Sequence, residues 1–116
     1  MSVSTKRIYE PPARRDGVRV LVDRLWPRGV SKANAKVDHW MKEIGPSDEL
    51  RKWFGHDPKK WTSFKRRYWK ELKASDLRED LLKLARKGPL TLVYSARDEQ
   101  HNNAVALREY LLRRTG

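Results

Sequence analysis

Val18-Arg19-Val20-Leu21-Val22-Asp23-Arg24-Leu25 is the stretch whose reading decides the fold. Four of its first five residues are aliphatic, and three of those are β-branched. Apolar positions that run almost continuously, instead of alternating, are the pattern of a strand buried on both faces, as in a parallel sheet covered by helices. Trp26-Pro27-Arg28-Gly29 ends the strand, because proline cannot donate to a central ladder and glycine permits a turn. Leu90-Thr91-Leu92-Val93-Tyr94 has the same character. More than sixty residues of mostly helical pattern separate the two runs. That is ample for a crossover connection, whereas a hairpin would need only a short turn. The two strands are therefore predicted to lie parallel in one sheet, with their carboxyl ends on the same edge.

Outward from these strands, Lys6-Arg7-Ile8-Tyr9 reads as a short strand halted by Pro11-Pro12. Val37 to Ile44 reads as a short helix stopped by Gly45-Pro46. Ser47 is a good N-cap for a helix Asp48 to Phe54, whose first turn holds two acids where the dipole favours them. Gly55 ends it. From Pro58, with Asp57 as N-cap, Trp61, Phe64, Tyr68 and Leu72 follow helical spacing. Asp76 with Glu79 forms a capping box for a further helix, packed through Leu77, Leu81, Leu84 and Ala85 and stopped by Gly88-Pro89. A last helix spans roughly Gln100 to Arg113 and packs through Ala104, Leu107 and Leu111. The fold expected is a single α/β domain over residues 1–116, a small and mostly parallel sheet flanked by helices.

Composition bounds the function. The chain has 116 residues, no cysteine, and 27 basic against 15 acidic side chains, a formal net charge of +12. The absence of cysteine excludes disulfides, thiolate metal sites and cysteine nucleophiles. No apolar run approaches the roughly 20 residues that span a bilayer, and the N-terminal segment lacks the apolar core of a signal peptide, so a cytoplasmic protein without membrane association is expected. The excess charge sits in the first three quarters: nets of +6, +5 and +1 fall in residues 1–36, 37–88 and 89–116. A field of this sign attracts nucleic acid or anionic metabolites, and it also serves as a solubilising surface.

Each of the two strands ends in a polar cluster. Asp23, Arg24 and Arg28 follow the first; Ser95, Arg97, Asp98, His101, Asn102 and Asn103 follow the second. On a parallel sheet both clusters reach the carboxyl edge, where open α/β folds bind ligands. Arg24, Arg28 and Arg97 are the candidate anion ligands, since guanidinium groups bind phosphate or carboxylate bidentately. Asp23 and His101 are the candidate catalytic base and acid. Tyr94, Ser95 and Asn102 would add polar contacts, and Trp26 and Trp53 would wall the pocket. Asp23 is expected to pair with Arg24, Arg28 or Arg97, because a lone carboxylate after an apolar run is costly to desolvate. The competing reading makes these groups structural ion pairs that fix the loops. No Gly-x-Ser-x-Gly elbow surrounds Ser95, so a covalent serine mechanism has little support.

The remaining motifs are weaker. His56 fits turn stabilisation and His39 a structural place. The three histidines lack paired ligand spacing, so no metal is expected. No glycine-rich phosphate loop is present, so no nucleotide cofactor is expected. Segment 59–73 interleaves seven basic residues with Trp61, Phe64, Tyr68 and Trp69. It is the alternative functional element, a basic helix binding nucleic acid, with Trp69 as the one aromatic outside the core.

Asp16-Gly17 followed by Arg19-Val20-Leu21-Val22-Asp23-Arg24-Leu25-Trp26-Pro27-Arg28-Gly29 resembles the signature of the YeaO-like family, bacterial and archaeal domains of unknown function. The likeness continues through Trp40-Met41-Lys42-Glu43, Pro46-Ser47, Glu49-Leu50-Arg51 and Trp53-Phe54-Gly55-His56-Asp57. It then takes in Phe64, Tyr68, Glu71-Leu72, Thr91 to Asp98, and His101-Asn102. The resemblance implies a compact α/β domain. In the wider group it implies a Cys near the end of the strand matching Leu90 to Tyr94 and a Cys-His-Arg motif near His101. This chain has neither cysteine, so thiol chemistry does not carry over.

Three readings emerge: a pocket for a small anionic ligand, in enzymatic or purely binding form; a nucleic-acid-binding module; and a partner-binding domain with purely structural loops.

Overall fold

The computed structural model describes residues 2–115, without the side chains of residues 114 and 115. Four strands, β1 (Val3–Arg7), β2 (Val18–Leu21), β3 (His39–Trp40) and β4 (Leu90–Tyr94), form one sheet in the order β1-β4-β2-β3. Every pairing is parallel, with Val18 opposite Leu90 and Val20 opposite Leu92. The α/β class, the parallel pairing and the shared carboxyl edge thus match the expectation from the two apolar runs. All five residues of β4 are buried, as a central strand covered on both faces requires.

Helices α1 (Lys32–Ala35), α2 (Asp48–Phe54), α3 (Trp61–Lys73), α4 (Leu77–Lys87) and α5 (Asn103–Thr115) complete the chain. One sheet face carries Val20, Val22, Leu90, Leu92 and Tyr94 against Phe54, Phe64, Tyr68 and the inner residues of α4 and α5. The other face is thinner. There Leu21 and Val93 meet Ile8 and Ala35, with Trp26, Val30 and Val37 packed around them. Arg19 crosses this thin side at 3% exposure. It bonds the Asp16 carboxylate at 2.7 Å and the carbonyls of Ala35 and Lys36 at 3.0 and 3.1 Å. Lys6 joins Asp16 at 3.1 Å. Burial pushes the Asp16 carboxyl up, but the Ala13 N–H, Lys6 and Arg19 outweigh it and hold the group below the ordinary range. The structural ion pairs of the molecule therefore centre on Asp16 and not on Asp23. Gly17 follows at φ +65°, and a Cβ there would collide with the Pro89 carbonyl.

Local chemistry explains where expectations held. Ser47 Oγ accepts from the Leu50 N–H at 3.2 Å and caps α2, and Gly55 ends it in the left-handed region. Asp57 accepts from the Lys59 N–H at 3.0 Å ahead of a 3-10 turn that leads into α3.

Several boundaries differ. The segment 37–44 is not a helix. Asp38 and Met41 donate to Arg19 and Leu21, drawing His39–Trp40 into the sheet as its edge strand before a 3-10 turn, Lys42–Ile44. Tertiary pairing there overrides local propensity. The first strand begins at Val3, because Leu90 N donates to Ser2 O, and ends at Arg7. Asp76 makes no capping bond; Ser75 Oγ accepts from the Leu77 N–H instead. The last helix starts at Asn103, three residues later than expected, because Asn102 caps it by accepting from the Val105 N–H at 2.9 Å.

Candidate functional site

Strand β2 ends at Leu21, one residue before its apolar run does, and Asp23 shows why. Val22 N still donates to Val93 O at 3.1 Å. At the next step the Asp23 carboxylate replaces a backbone carbonyl: its Oδ2 accepts from the Ser95 N–H at 2.9 Å and from Ser95 Oγ at 2.8 Å. The strands stop pairing there. The connection leaving β2 runs to α1 on the thin side, while the one leaving β4 runs to α5 on the other. Adjacent parallel strands whose carboxyl-end connections depart to opposite faces form a topological switch point, the place where open α/β sheets hold a crevice.

A cleft of about 620 Å³ opens there. Asp23, Arg24, Ser95, Arg97 and Asn102, all read from sequence as site residues, line it together with Asp98 and Asn103. Arg51, Phe54, His56 and Phe64 bring α2 and α3 to its wall. Sequence reasoning placed Asp98 and Asn103 in the second polar cluster without giving either a role, and it did not assign Arg51 or His56 to the site. Arg51 and His56 fall in motifs that carry the family resemblance, the one signal that could have found them.

Five other candidates lie outside the lining. Trp26 packs on the thin face, donating from Nε1 to Val30 O at 2.6 Å and meeting Trp40 edge-on at 5.3 Å. Arg28 is exposed, its carbonyl accepting from the Tyr9 hydroxyl. Trp53 lies under the cations of Lys60 and Arg67, at 5.0 and 4.0 Å from its ring centre, so neither tryptophan walls the pocket. Tyr94 is buried in the helix-covered core, and burial pushes its hydroxyl up. His101 turns to Asp98, with Nδ1 at 2.9 Å from Oδ2, and sits edge-on to Trp61 at 5.4 Å. It bonds neither Ser95 nor Asp23, so no Ser-His pair forms.

The electrostatics follow from these bonds. The expected salt bridge from Asp23 to an arginine is absent; its Oδ2 bonds Ser95 instead. Burial pushes its carboxyl above the ordinary value, against the Ser95 donors and the nearby His56. Asp98 accepts from the backbone N–H groups of Gln100 and His101 and from the His101 ring, and its carboxyl is held low. Both acids of the cleft are thereby committed. Arg24 donates from Nε to Pro46 O at 2.6 Å. Among the described residues no carboxylate lies within 4.0 Å of the Arg24 or Arg97 guanidinium, and Arg51 has only exposed Asp48 at 3.6 Å. The cleft gathers three arginines, of which Arg24 and Arg97 have no paired carboxylate among the described residues. No described group of three or more His, Asp or Glu is placed to hold a metal ion.

Fold and cleft define the class: a small all-parallel α/β protein with an arginine-lined crevice at the switch point of its sheet. Residues 2–116 match the family described as the inactive DUF488-N3 subclade, DUF488-N3i, and the chain belongs to that family. It is similar to the uncharacterized protein YeaO of Escherichia coli K12, with 43% identity over 112 residues, 96% of this chain and 97% of YeaO. It is also 38% identical over 109 residues to the uncharacterized proteins Mb3100c of Mycobacterium bovis and Rv3073c of Mycobacterium tuberculosis, covering 94% of this chain and 92% of each relative. No solved structure matches it.

Proposed function

We propose that the protein is a cytoplasmic receptor for a small anionic ligand, a phosphorylated or carboxylated metabolite, held in the cleft at the carboxyl edge of the sheet. One observation carries this reading. Arg24 and Arg97 line a single crevice whose two acids, Asp23 and Asp98, are already bonded to Ser95 and His101. Cations gathered without counter-charges favour an anion between them, and guanidinium groups suit phosphate or carboxylate. Phe54 and Phe64 offer the ligand an apolar wall.

Binding without chemistry is the preferred form of this reading. His101 is turned away to Asp98, Ser95 has no histidine base, and the chain has no cysteine. The description of the family as inactive points the same way. Among the described residues no helix is long and apolar enough to cross a membrane.

Thermal-shift screening of phosphorylated and carboxylated metabolites, with inorganic phosphate as the minimal probe, tests the proposal. A ligand at 100 times its dissociation constant adds about 2.7 kcal/mol of stability. Arg24→Gln and Arg97→Gln are each expected to weaken the same ligand tenfold or more, a loss of about 1.4 kcal/mol. Wild-type protein that ignores the whole panel, or variants that bind as tightly as wild type, would sink the proposal.

A further inference from the structure

A second, smaller groove of about 300 Å³ runs between α3 and α5 and shares no lining residue with the cleft. Arg66, Trp69, Lys70, Lys73, Tyr110 and Arg113 line it. None of its four cations has a carboxylate partner among the described residues. Arg66, Lys70 and Lys73 stand four and three residues apart, which stacks them in one stripe at about 6 and 4.5 Å along the axis. Like charges at that spacing weaken a helix, so the stripe gives α3 nothing by itself.

The floor of the groove is aromatic and fixed. Trp69 was expected to stand outside the core, but its Nε1 donates to Ala106 O at 2.9 Å and its ring meets Tyr110 at 6.2 Å. The Arg113 guanidinium lies over the same indole, 5.0 Å from its centre. A guanidinium placed over an aromatic ring offers, with that ring, a platform for a further flat group and N–H donors for a phosphate.

We propose that this groove binds single-stranded nucleic acid, with phosphates along Arg66, Lys70 and Lys73 and an unpaired base stacked on the Arg113–Trp69 platform. The cation stripe alone would suit any polyanion. The platform selects among them, because a duplex keeps its base faces stacked inside while a single strand can turn one out. The inference does not depend on the cleft.

Fluorescence anisotropy of labelled oligo(U) and oligo(dT), about ten nucleotides long, tests it with the full chain. Saturable binding is expected for at least one strand, with affinity falling linearly against salt in log–log form at about 0.7 per phosphate contacted. Lys70→Gln with Lys73→Gln, both exposed positions, should weaken binding tenfold or more and reduce the slope by about 1.4. Arg113→Lys keeps the charge but loses the planar platform, so it should weaken binding and leave the slope unchanged. Arg14→Gln with Arg15→Gln removes the same charge from the turn before β2, outside the groove, and should change affinity less than twofold. The proposal is overturned by absence of binding, by equal weakening in the Arg14/Arg15 variant, or by a duplex of equal length competing as well as the single strand.

Discussion

Asp23 does at one residue what a loop insertion would do elsewhere: it ends a strand pair and opens a crevice. Its carboxylate takes the Ser95 N–H that a continued ladder would have given to a carbonyl, and takes the Ser95 hydroxyl as well. The cost is a partly desolvated acid whose pKa is raised above its ordinary 3.8. A carboxyl with a raised folded pKa binds its proton more tightly folded than unfolded. Its contribution to stability is fully present below pH 3.8 and is lost as the pH climbs through the raised folded value. Asn at this position keeps an oxygen acceptor for both Ser95 donors and carries no charge. Asp23→Asn is therefore expected to be as stable as wild type or more stable at pH 7. It should also remove the decline in stability above pH 3.8, read from urea denaturation at several pH values. A variant less stable than wild type at pH 7 with an unchanged pH profile would contradict this account.

At the scale of elements, the cleft is set by a segment that contributes little to its wall. Ile44 to Ser47 connects the sheet edge to α2, and α3 grips it twice. The buried Tyr68 hydroxyl donates to Ile44 O at 2.6 Å, and Glu71 accepts from Ser47 N and Ser47 Oγ at 2.8 and 2.6 Å. Pro46 O in turn holds Arg24 Nε. Gly45 packs so closely that a Cβ there would lie 3.1 Å from Arg24 Cγ and 3.0 Å from Val22 O. Arg24 is thus aimed by α3 through the Ile44–Ser47 loop. Glu71→Gln can keep an acceptor for the Ser47 N–H, but it replaces the acceptor of the Ser47 hydroxyl with an amide donor and removes the charge from both bonds. It should cost about 2 kcal/mol, within the range for hydrogen bonds to charged groups, in urea denaturation, and should also weaken ligand binding in the cleft. Loss of stability without loss of affinity would show that Arg24 is positioned by other means.

At the scale of the whole molecule, the strand order decides which parts are hardest to open. β4 lies between β1 and β2 and is buried throughout, while β3 pairs through two residues at an exposed edge. Hydrogen exchange is expected to be slowest at the amides of Leu92 and Val93 and fastest, among the strands, in His39–Trp40. Equal protection across all four strands would contradict the topology. The same order places the two polar clusters side by side at the carboxyl edge, with the chain leaving β2 and β4 toward opposite faces.

The parallel pairing of β2 and β4 was legible because a strand buried on both faces is apolar at nearly every position, and Val18–Val22 and Leu90–Val93 are so apart from Arg19 and Thr91. The caps of α2 and of the 3-10 turn that precedes α3 were legible because Ser47 and Asp57 act on N–H groups two or three residues away. The charged cleft was legible in part, since residues following adjacent parallel strands share an edge whatever else the chain does. What the residues alone did not reveal depends on partners distant in the chain. His39–Trp40 becomes a strand only because β2 offers an unpaired edge. Asp23 bonds Ser95 and not an arginine because β4 brings that N–H within reach, 72 residues on. His101 is drawn to Asp98 and Trp61, and Trp26 to the thin face, by packing that no local pattern encodes. Short-range hydrogen bonding and burial periodicity are written into neighbouring residues, whereas the choice among competing partners is made only when the sheet and its helices close around them.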